Sequence, residues 1–178
     1  MAARRNEVIE SHVGPSPLGH ILYRAEDGCL TGLFFVGQKH FPDGLPEPTL
    51  SDTPPRSRVI LEAREQIDEY FAGARTEFSI ALRLGGTAFQ QQVWNALRQI
   101  PFGDAWTYGD LARRLGLPAG ASRAVGGANG RNPVAIIVPC HRVIGVDGEL
   151  TGYAGGVDRK RHLLTLEGGA GREQLALF

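Results

Sequence analysis

Apolar positions fall into two regimes along the chain. In the first eighty-odd residues they come as short runs. Ile21-Leu22-Tyr23 and Leu30-Thr31-Gly32-Leu33-Phe34-Phe35-Val36 are strand-like, and Asp27-Gly28 between them is a hairpin turn signal. Residues 37–57 hold Pro42, Pro46, Pro48, Pro54 and Pro55, too many prolines for the interior of any element, so a loop is expected there. From Arg58 to Phe71 the apolar positions Ile60, Ala63, Ile67 and Tyr70/Phe71 form a helical stripe, with Gly73 just beyond its end. Phe78, Ile80, Leu82 and Leu84 then alternate with polar or small residues, the period of a half-buried strand. Gly85-Gly86 reads as a linker.

Beyond the linker the period becomes helical. Thr87 can cap a helix that places Phe89, Val93, Ala96/Leu97 and Ile100 on one face, and Pro101-Phe102-Gly103 stops it. Thr107 with Asp110 three residues on resembles a capping box, with Asp in place of the usual Glu or Gln. A short helix through Leu111, Ala112 and Leu115 ends at Gly116. After the turn Leu117-Pro118-Ala119-Gly120, a second helix runs from Ala121 to Ala128 and ends at Asn129-Gly130, which gives a helix-turn-helix pattern. This second helix is rich in Ala and Gly. Such a face buries little core, so it either packs very close to something or makes a poor helix, and a tight helix–helix contact is the plainer reading. A last helix covers Asp158–Leu166. The pattern predicts an α+β protein: an N-terminal α/β domain over residues 1–85, then a helical domain over 86–178.

Composition changes this picture little. Of 178 residues, 42% are hydrophobic and 21% charged, ordinary values for a soluble globular chain. No apolar run approaches the roughly 20 residues of a membrane span, and Met1 to Glu7 is too polar for a secretory signal. Cys29 and Cys140 make no disulfide framework, so a reducing compartment, the cytoplasm, is expected. The net charge is zero, which by itself argues against nucleic acid. Its distribution argues the other way, with a net of −3 over residues 1–85 and +3 over 86–178. Between residues 86 and 142, Arg98, Arg113, Arg114, Arg123, Arg131 and Arg142 face only Asp104 and Asp110, a basic footprint of the kind that binds DNA. A solvated basic face is the plainer reading of the same charges.

The chemistry concentrates in Val138-Pro139-Cys140-His141-Arg142-Val143-Ile144-Gly145. The apolar run Ala135-Ile136-Ile137-Val138 enters the interior and delivers Cys140, with His141 directly after it. A free cysteine is usually a small buried hydrophobe. Here Pro139 prevents a strand from simply continuing, and an imidazole stands beside the thiol, as in sites that position a nucleophilic thiolate. Glu167, at the end of the last helix, opposes the helix dipole, which suits a cationic or donor partner; a solvated surface Glu is the alternative. No CxxC or HxxxH spacing occurs among Cys29, Cys140, His12, His20, His40, His141 and His162, so no metal is expected; nor is any other cofactor.

Pro139-Cys140-His141-Arg142 resembles the acceptor motif of the O6-alkylguanine-DNA alkyltransferases, which take an alkyl group from damaged guanine onto their own cysteine. The likeness extends, in the family's order, through Phe89-Gln90-Gln91-Gln92-Val93-Trp94, Thr107-Tyr108-Gly109, Ser122 to Ala128, Asn132-Pro133-Val134, Tyr153-Ala154-Gly155-Gly156 and Leu163 to Glu167. It is close from about Thr87 to Gly168. The N-terminal half resembles the family only loosely, chiefly at Ser16-Pro17-Leu18-Gly19.

The resemblance implies a ribonuclease-H-like N-terminal subdomain and a winged-helix-like catalytic one. It makes Cys140 the alkyl acceptor, His141 its partner through a water, and Glu167 the group that orients His141. Tyr108 would contact the flipped nucleotide and assist its rotation and proton delivery. Asn132 would tie the segment after the recognition helix to the active-site loop. Arg123 would fill the gap left by the extruded base. Ser122, Ala124, Gly126, Gly127 and Arg131 would join Arg123 and Tyr108 against the minor groove of duplex DNA. Tyr153, Ala154, Gly155 and Val143 would line the pocket. At 154 family members often carry serine; alanine keeps the backbone N–H and lacks the hydroxyl. The implied protein is a monomer in solution, able to bind DNA cooperatively, and acts once per molecule. A non-catalytic lesion binder would lack Cys140, and a Cys-His hydrolase would need an oxyanion hole and turnover, for which no motif is present.

Overall fold

The computed structural model describes residues 8–45 and 50–168. Pro46, Pro48, the start of the first expected domain with the segment weighed as a signal, and the end of the second lie outside these.

Three antiparallel strands form the N-terminal sheet, in the order β1 (Ile9–Gly14), β2 (Ile21–Glu26), β3 (Cys29–Phe35). Asp27 and Gly28 both take positive φ, 46° and 78°, as a tight hairpin turn requires. β1 is an element the alternation did not reveal. Its first half is exposed, and Glu10, Ser11 and His12 interrupt any apolar period. Helix α1 covers Arg58–Phe71, the stretch its stripe marks out, and buries Val59, Ile60, Ala63, Ile67 and Tyr70 toward β2 and β3. The described part of residues 37–57 forms neither helix nor strand until α1 begins.

The segment Phe78–Leu84 departs from expectation. Its alternate residues are half-buried as the period requires, but it joins the sheet through a single parallel bridge, Leu82 to Leu30. Ala81 O and Arg83 N both bond to Leu30, and no further pairing follows. Alternation recorded which side chains face inward; it could not record how many backbone partners lie alongside.

Helix α2 (Ala88–Leu97) is capped by Thr87, whose hydroxyl accepts from Gln90 N while the Gln90 side chain accepts from Thr87 N. Strand β4 (Trp106–Thr107) leads into α3 (Tyr108–Arg114), where Thr107 and Asp110 complete a second capping box, so Asp serves in place of Glu. One 3-10 turn, Ala119–Ala121, leads into α4 (Ser122–Gly130). β5 (Val143–Ile144) pairs in parallel with β4, and α5 spans Val157–Glu167. The Trp94 indole donates to Ala128 O at 2.9 Å and holds α4 against α2.

The main apolar core runs through both halves, from Tyr23, Leu30 and Ile67 to Val93, Val134, Cys140 and Leu163, and a smaller cluster of Val13, Leu22 and Phe34 lies on the other face of the N-terminal sheet. Two polar ties reinforce the main core. Ser16 folds the Ser16–Gly19 turn by bonding Gly19 O and Leu18 N, and Leu18 O then accepts from Arg159 Nε of α5 at 2.8 Å. Arg159 also donates to Gly155 O and lies over the Phe35 ring, its Cζ 4.7 Å from the centroid. No helix among the described residues is long and apolar enough to cross a membrane.

Candidate active site

The apolar run before Cys140 is buried as expected but is not a strand. Val134 makes one bridge to β3, with Leu33 N donating to Pro133 O and Leu33 O accepting from Ala135 N. The chain then folds on itself twice. Ile137 N reaches Ala135 O at 2.8 Å around Ile136, whose φ is 69°; Cys140 N reaches Val138 O at 2.8 Å around Pro139. These are three-residue γ-turns. A β-branched residue at positive φ stores about 1–3 kcal/mol of strain, held here by full burial of Ile136. Asn132 spans the loop, donating to Val138 O at 2.7 Å and accepting from Val134 N at 3.0 Å. Asn129 Nδ2 adds a contact to Cys140 O at 3.4 Å. The thiol is thus delivered by a turn locked on both flanks.

Cys140 is 5% exposed. Burial pushes its thiol above the ordinary value, against the pull of a hydrogen bond from Asn132 and the charge of Lys160. His141 is fully buried, and its Nε2 lies 2.7 Å from Glu167 Oε1. Burial raises the Glu167 carboxyl, but hydrogen bonds and charge from His141 and Arg142 outweigh it and bring it to about 2. Glu167 is therefore ionised and accepts only, so His141 Nε2 carries the hydrogen. That leaves Nδ1 with its lone pair, buried and without a partner among the described residues. Burial lowers the imidazole, with Arg142 and Lys160 acting the same way against Glu167, so the ring is neutral at rest.

Glu167 has the donor partners its place at the helix end called for. Oε1 also accepts from Tyr70 Oη at 2.8 Å and Arg142 Nη2 at 2.9 Å, and Oε2 from Arg142 Nε at 2.8 Å. Arg142 Nη1 donates to Ile100 O. Arg142 is 6% exposed, so the basic window of 86–142 loses one of its members to this pair.

Tyr108 begins α3 and donates to Thr151 O at 3.0 Å. Burial, then the neighbouring Cys140, raises its phenol, which stays a neutral donor. Room for it comes from two glycines. A Cβ on Gly152, at φ 69°, would lie 3.1 Å from the hydroxyl, and one on Gly126 would touch the ring. Tyr153 and Gly155 are buried and Ala154 half-buried. A side chain at 155 would collide with the Tyr153 ring at 2.6 Å. The Ala154 carbonyl accepts from Lys39 N, so the N-terminal half holds the Tyr153–Gly156 segment, which the resemblance makes the lip of the pocket. Val143 sits in β5, fully buried. Its carbonyl accepts from Lys160 Nζ, which also donates to Thr151 O. Burial lowers the Lys160 ammonium to about 8, against the attraction of Cys140.

Helix α4 turns Val125, Ala128 and Asn129 inward. Arg123, Ala124 and Gly127 are exposed, Ser122 and Gly126 half-buried, and Arg131 exposed just beyond. A Cβ on Gly127 would meet nothing within 4 Å, so the small face is open rather than packed on a neighbouring helix. Arg98, Arg113 and Arg114 are exposed too.

Four participants were not singled out from the sequence as site residues: Tyr70, Asn129, Arg142 and Lys160. Tyr70 reads as a core stripe residue, and Lys160 as the polar face of a helix written Asp-Arg-Lys-Arg-His. For Lys160 the one available signal is its spacing to Leu163, Leu164 and Glu167, which shares their inward face. No group of three or more His, Cys, Asp or Glu among the described residues could hold a metal.

The family profile described as "6-O-methylguanine DNA methyltransferase, DNA binding domain" matches residues 88–169, and "6-O-methylguanine DNA methyltransferase, ribonuclease-like domain" matches 9–84. The methylated-DNA–protein-cysteine methyltransferase of Mycolicibacterium paratuberculosis is 47% identical over 171 residues, covering 96% of this chain and 99% of its own length. That of Methanosarcina acetivorans is 49% identical over 156 residues, with 86% and 94% covered. The crystal structure of Mycobacterium tuberculosis OGT in complex with DNA superposes with a TM-score of 0.78 at 46% identity, covering 88% of this chain and 92% of that one.

Proposed function

The chain belongs to the methylated-DNA–protein-cysteine methyltransferase family, and on that premise we propose that it repairs DNA by taking the alkyl group of O6-alkylguanine onto Cys140. We divide it at Gly85-Gly86 into a supporting N-terminal domain and the domain that carries the acceptor. The observation behind the assignment is the buried His141–Glu167 pair directly after Cys140, with His141 Nδ1 a basic nitrogen that has no partner among the described residues.

The thiol proton leaves toward His141 Nδ1, through one bridging water as the resemblance implies. Imidazolium gains from the ionised Glu167 behind it. Asn132 and the Lys160 ammonium favour the thiolate that burial alone disfavours. Sulfur then attacks the alkyl carbon, the S–C bond forms, the C–O6 bond breaks, and its electron pair leaves with guanine. We assign Tyr108, a neutral donor now bonded to the Thr151 carbonyl, to protonate the departing base, and its phenolate then regains the proton held by His141 through solvent. Net, the thiol hydrogen is exchanged for the alkyl group and guanine leaves protonated. The thioether has no leaving group, so each molecule acts once.

Access to the lesion requires the nucleotide to leave the stack. The open Arg123–Ala124–Gly127 face lets α4 press into the minor groove, with Arg123 in place of the extruded base and Arg131 on the backbone. We take the protein to act as a monomer on duplex DNA. Both cysteines are free, which suits a single-use thiol kept reduced in the cytoplasm. The test is intact and peptide mass spectrometry after incubation with a duplex oligonucleotide containing O6-methylguanine. One methyl group per molecule on the Cys140 peptide is expected, and none on Cys140→Ser, which should still bind DNA. Methylation elsewhere, or repair of several lesions per molecule, would reject the assignment.

A further inference from the structure

We propose that Tyr70, on α1 of the N-terminal half, is a positioning residue for the acceptor site, its hydroxyl holding the carboxylate oxygen of Glu167 that faces His141. This deepens the alkyl-transfer reading and rests on it. Tyr70 is 1% exposed, and its Oη donates to Glu167 Oε1 at 2.8 Å across 97 residues of sequence. The same oxygen receives His141 Nε2 at 2.7 Å and Arg142 Nη2 at 2.9 Å.

The ring and the hydroxyl have separable tasks. The ring packs edge-on against Phe71 and Phe102, with centroids 5.5 and 6.3 Å away, and tilted against Phe78 at 5.5 Å. Phenylalanine would serve that packing equally. The hydroxyl is a burden in such a pocket unless it is bonded, and Glu167 is its bonding partner. Burial, then Glu167 itself, raises the phenol, so Tyr70 remains a donor at every pH the protein meets.

A donor on Oε1 consumes part of the carboxylate's accepting capacity. Without it the carboxylate becomes more basic and pulls harder on His141 Nε2–H, which stabilises imidazolium. His141 then keeps a proton to higher pH, and a smaller fraction of molecules has Nδ1 free. The other groups facing the pair stay in place: Arg142 beside it, Lys160 from α5, Cys140 in the same turn, and Tyr153 from the lip. Both cations oppose imidazolium, so the hydroxyl works with them.

Tyr70→Phe, measured as the single-turnover rate of Cys140 methylation at saturating duplex DNA, should shift the acid limb of the rate–pH profile upward by about one unit. At pH values on that limb the rate should drop about tenfold; well above it wild-type rate returns, with DNA affinity unchanged. A superimposable profile, or a uniform drop at all pH values, would leave Tyr70 a packing residue and overturn the proposal. Should the variant not fold, 3-fluorotyrosine at position 70 keeps ring and hydroxyl while strengthening the donor. The limb should then move down, and an unmoved limb refutes the role. Failure of wild-type protein to methylate Cys140 would instead overturn the alkyl-transfer reading itself, and is read in a separate arm.

Discussion

Replacing Glu167 with glutamine tests the centre of the site most directly. The carboxylate is wholly buried and receives four hydrogen bonds, from Tyr70, from His141 and two from Arg142. Glutamine is nearly isosteric but carries one acceptor oxygen and one donor nitrogen. With its oxygen in the place of Oε1, the amide nitrogen faces Arg142 Nε–H, donor against donor; turned over, it faces three donors instead. Arg142, 6% exposed, is left without a counter-charge. Removing one member of a buried pair costs about 3–5 kcal/mol, and urea unfolding should show a loss of that size. Loss of the anion behind His141 should also slow methyl transfer by about 10²-fold, measured in single turnover where the variant is still folded. Arg142→Met added to Glu167→Gln should restore much of the stability, because an apolar side chain no longer needs the charge, and none of the rate. A single variant within about 1 kcal/mol of wild type, with an unchanged rate, would mean that Glu167 neither balances Arg142 nor orients His141.

Two further outcomes follow from the same geometry. The Glu167 carboxyl is lowered from 4.5 to about 2, so its stabilisation is complete above the ordinary carboxylate range and lost as pH falls through that interval. Urea unfolding between pH 5 and 2 should lose about 3 kcal/mol through this group, a slope that Glu167→Gln should remove; equal slopes for the two proteins would contradict the assignment. If Arg123 takes the place of the extruded base as proposed, Arg123→Ala should impair repair in duplex DNA more than in a single strand at saturating DNA, with lysine a poor substitute. An equal fractional loss on both substrates would reduce Arg123 to a backbone contact.

Local rules read well wherever a local cause sets the structure. The stripe of Ile60, Ala63 and Ile67 gave α1 its bounds, Asp27-Gly28 the hairpin, and Thr87 and Thr107 the starts of α2 and α3. Local rules fail where partners are distant. Phe78–Leu84 has the period of a strand and one bridging neighbour; β1 has little period and a full neighbour in β2. The acceptor motif exposed Cys140 and His141, and family likeness carried Glu167. Tyr70 and Arg142 matter through contacts that composition cannot show, since both look like ordinary members of their own segments. Lys160 defeats a sound expectation: lysines are almost never buried, and this one is held by two backbone carbonyls.

The place of α5 in the order of synthesis has a consequence for a protein whose thiol is spent once. Glu167, Lys160 and Arg159 all belong to the last described helix. A growing chain emerges from its N-terminus and folds in that direction. A ribosome that has just finished Cys140 and His141 has made neither the carboxylate that orients the imidazole nor the ammonium that favours the thiolate. Arg159 is also missing, so nothing yet ties Leu18 to the pocket lip. The acceptor is thus made before the α5 groups that tune it, and its reactivity waits on the last described helix.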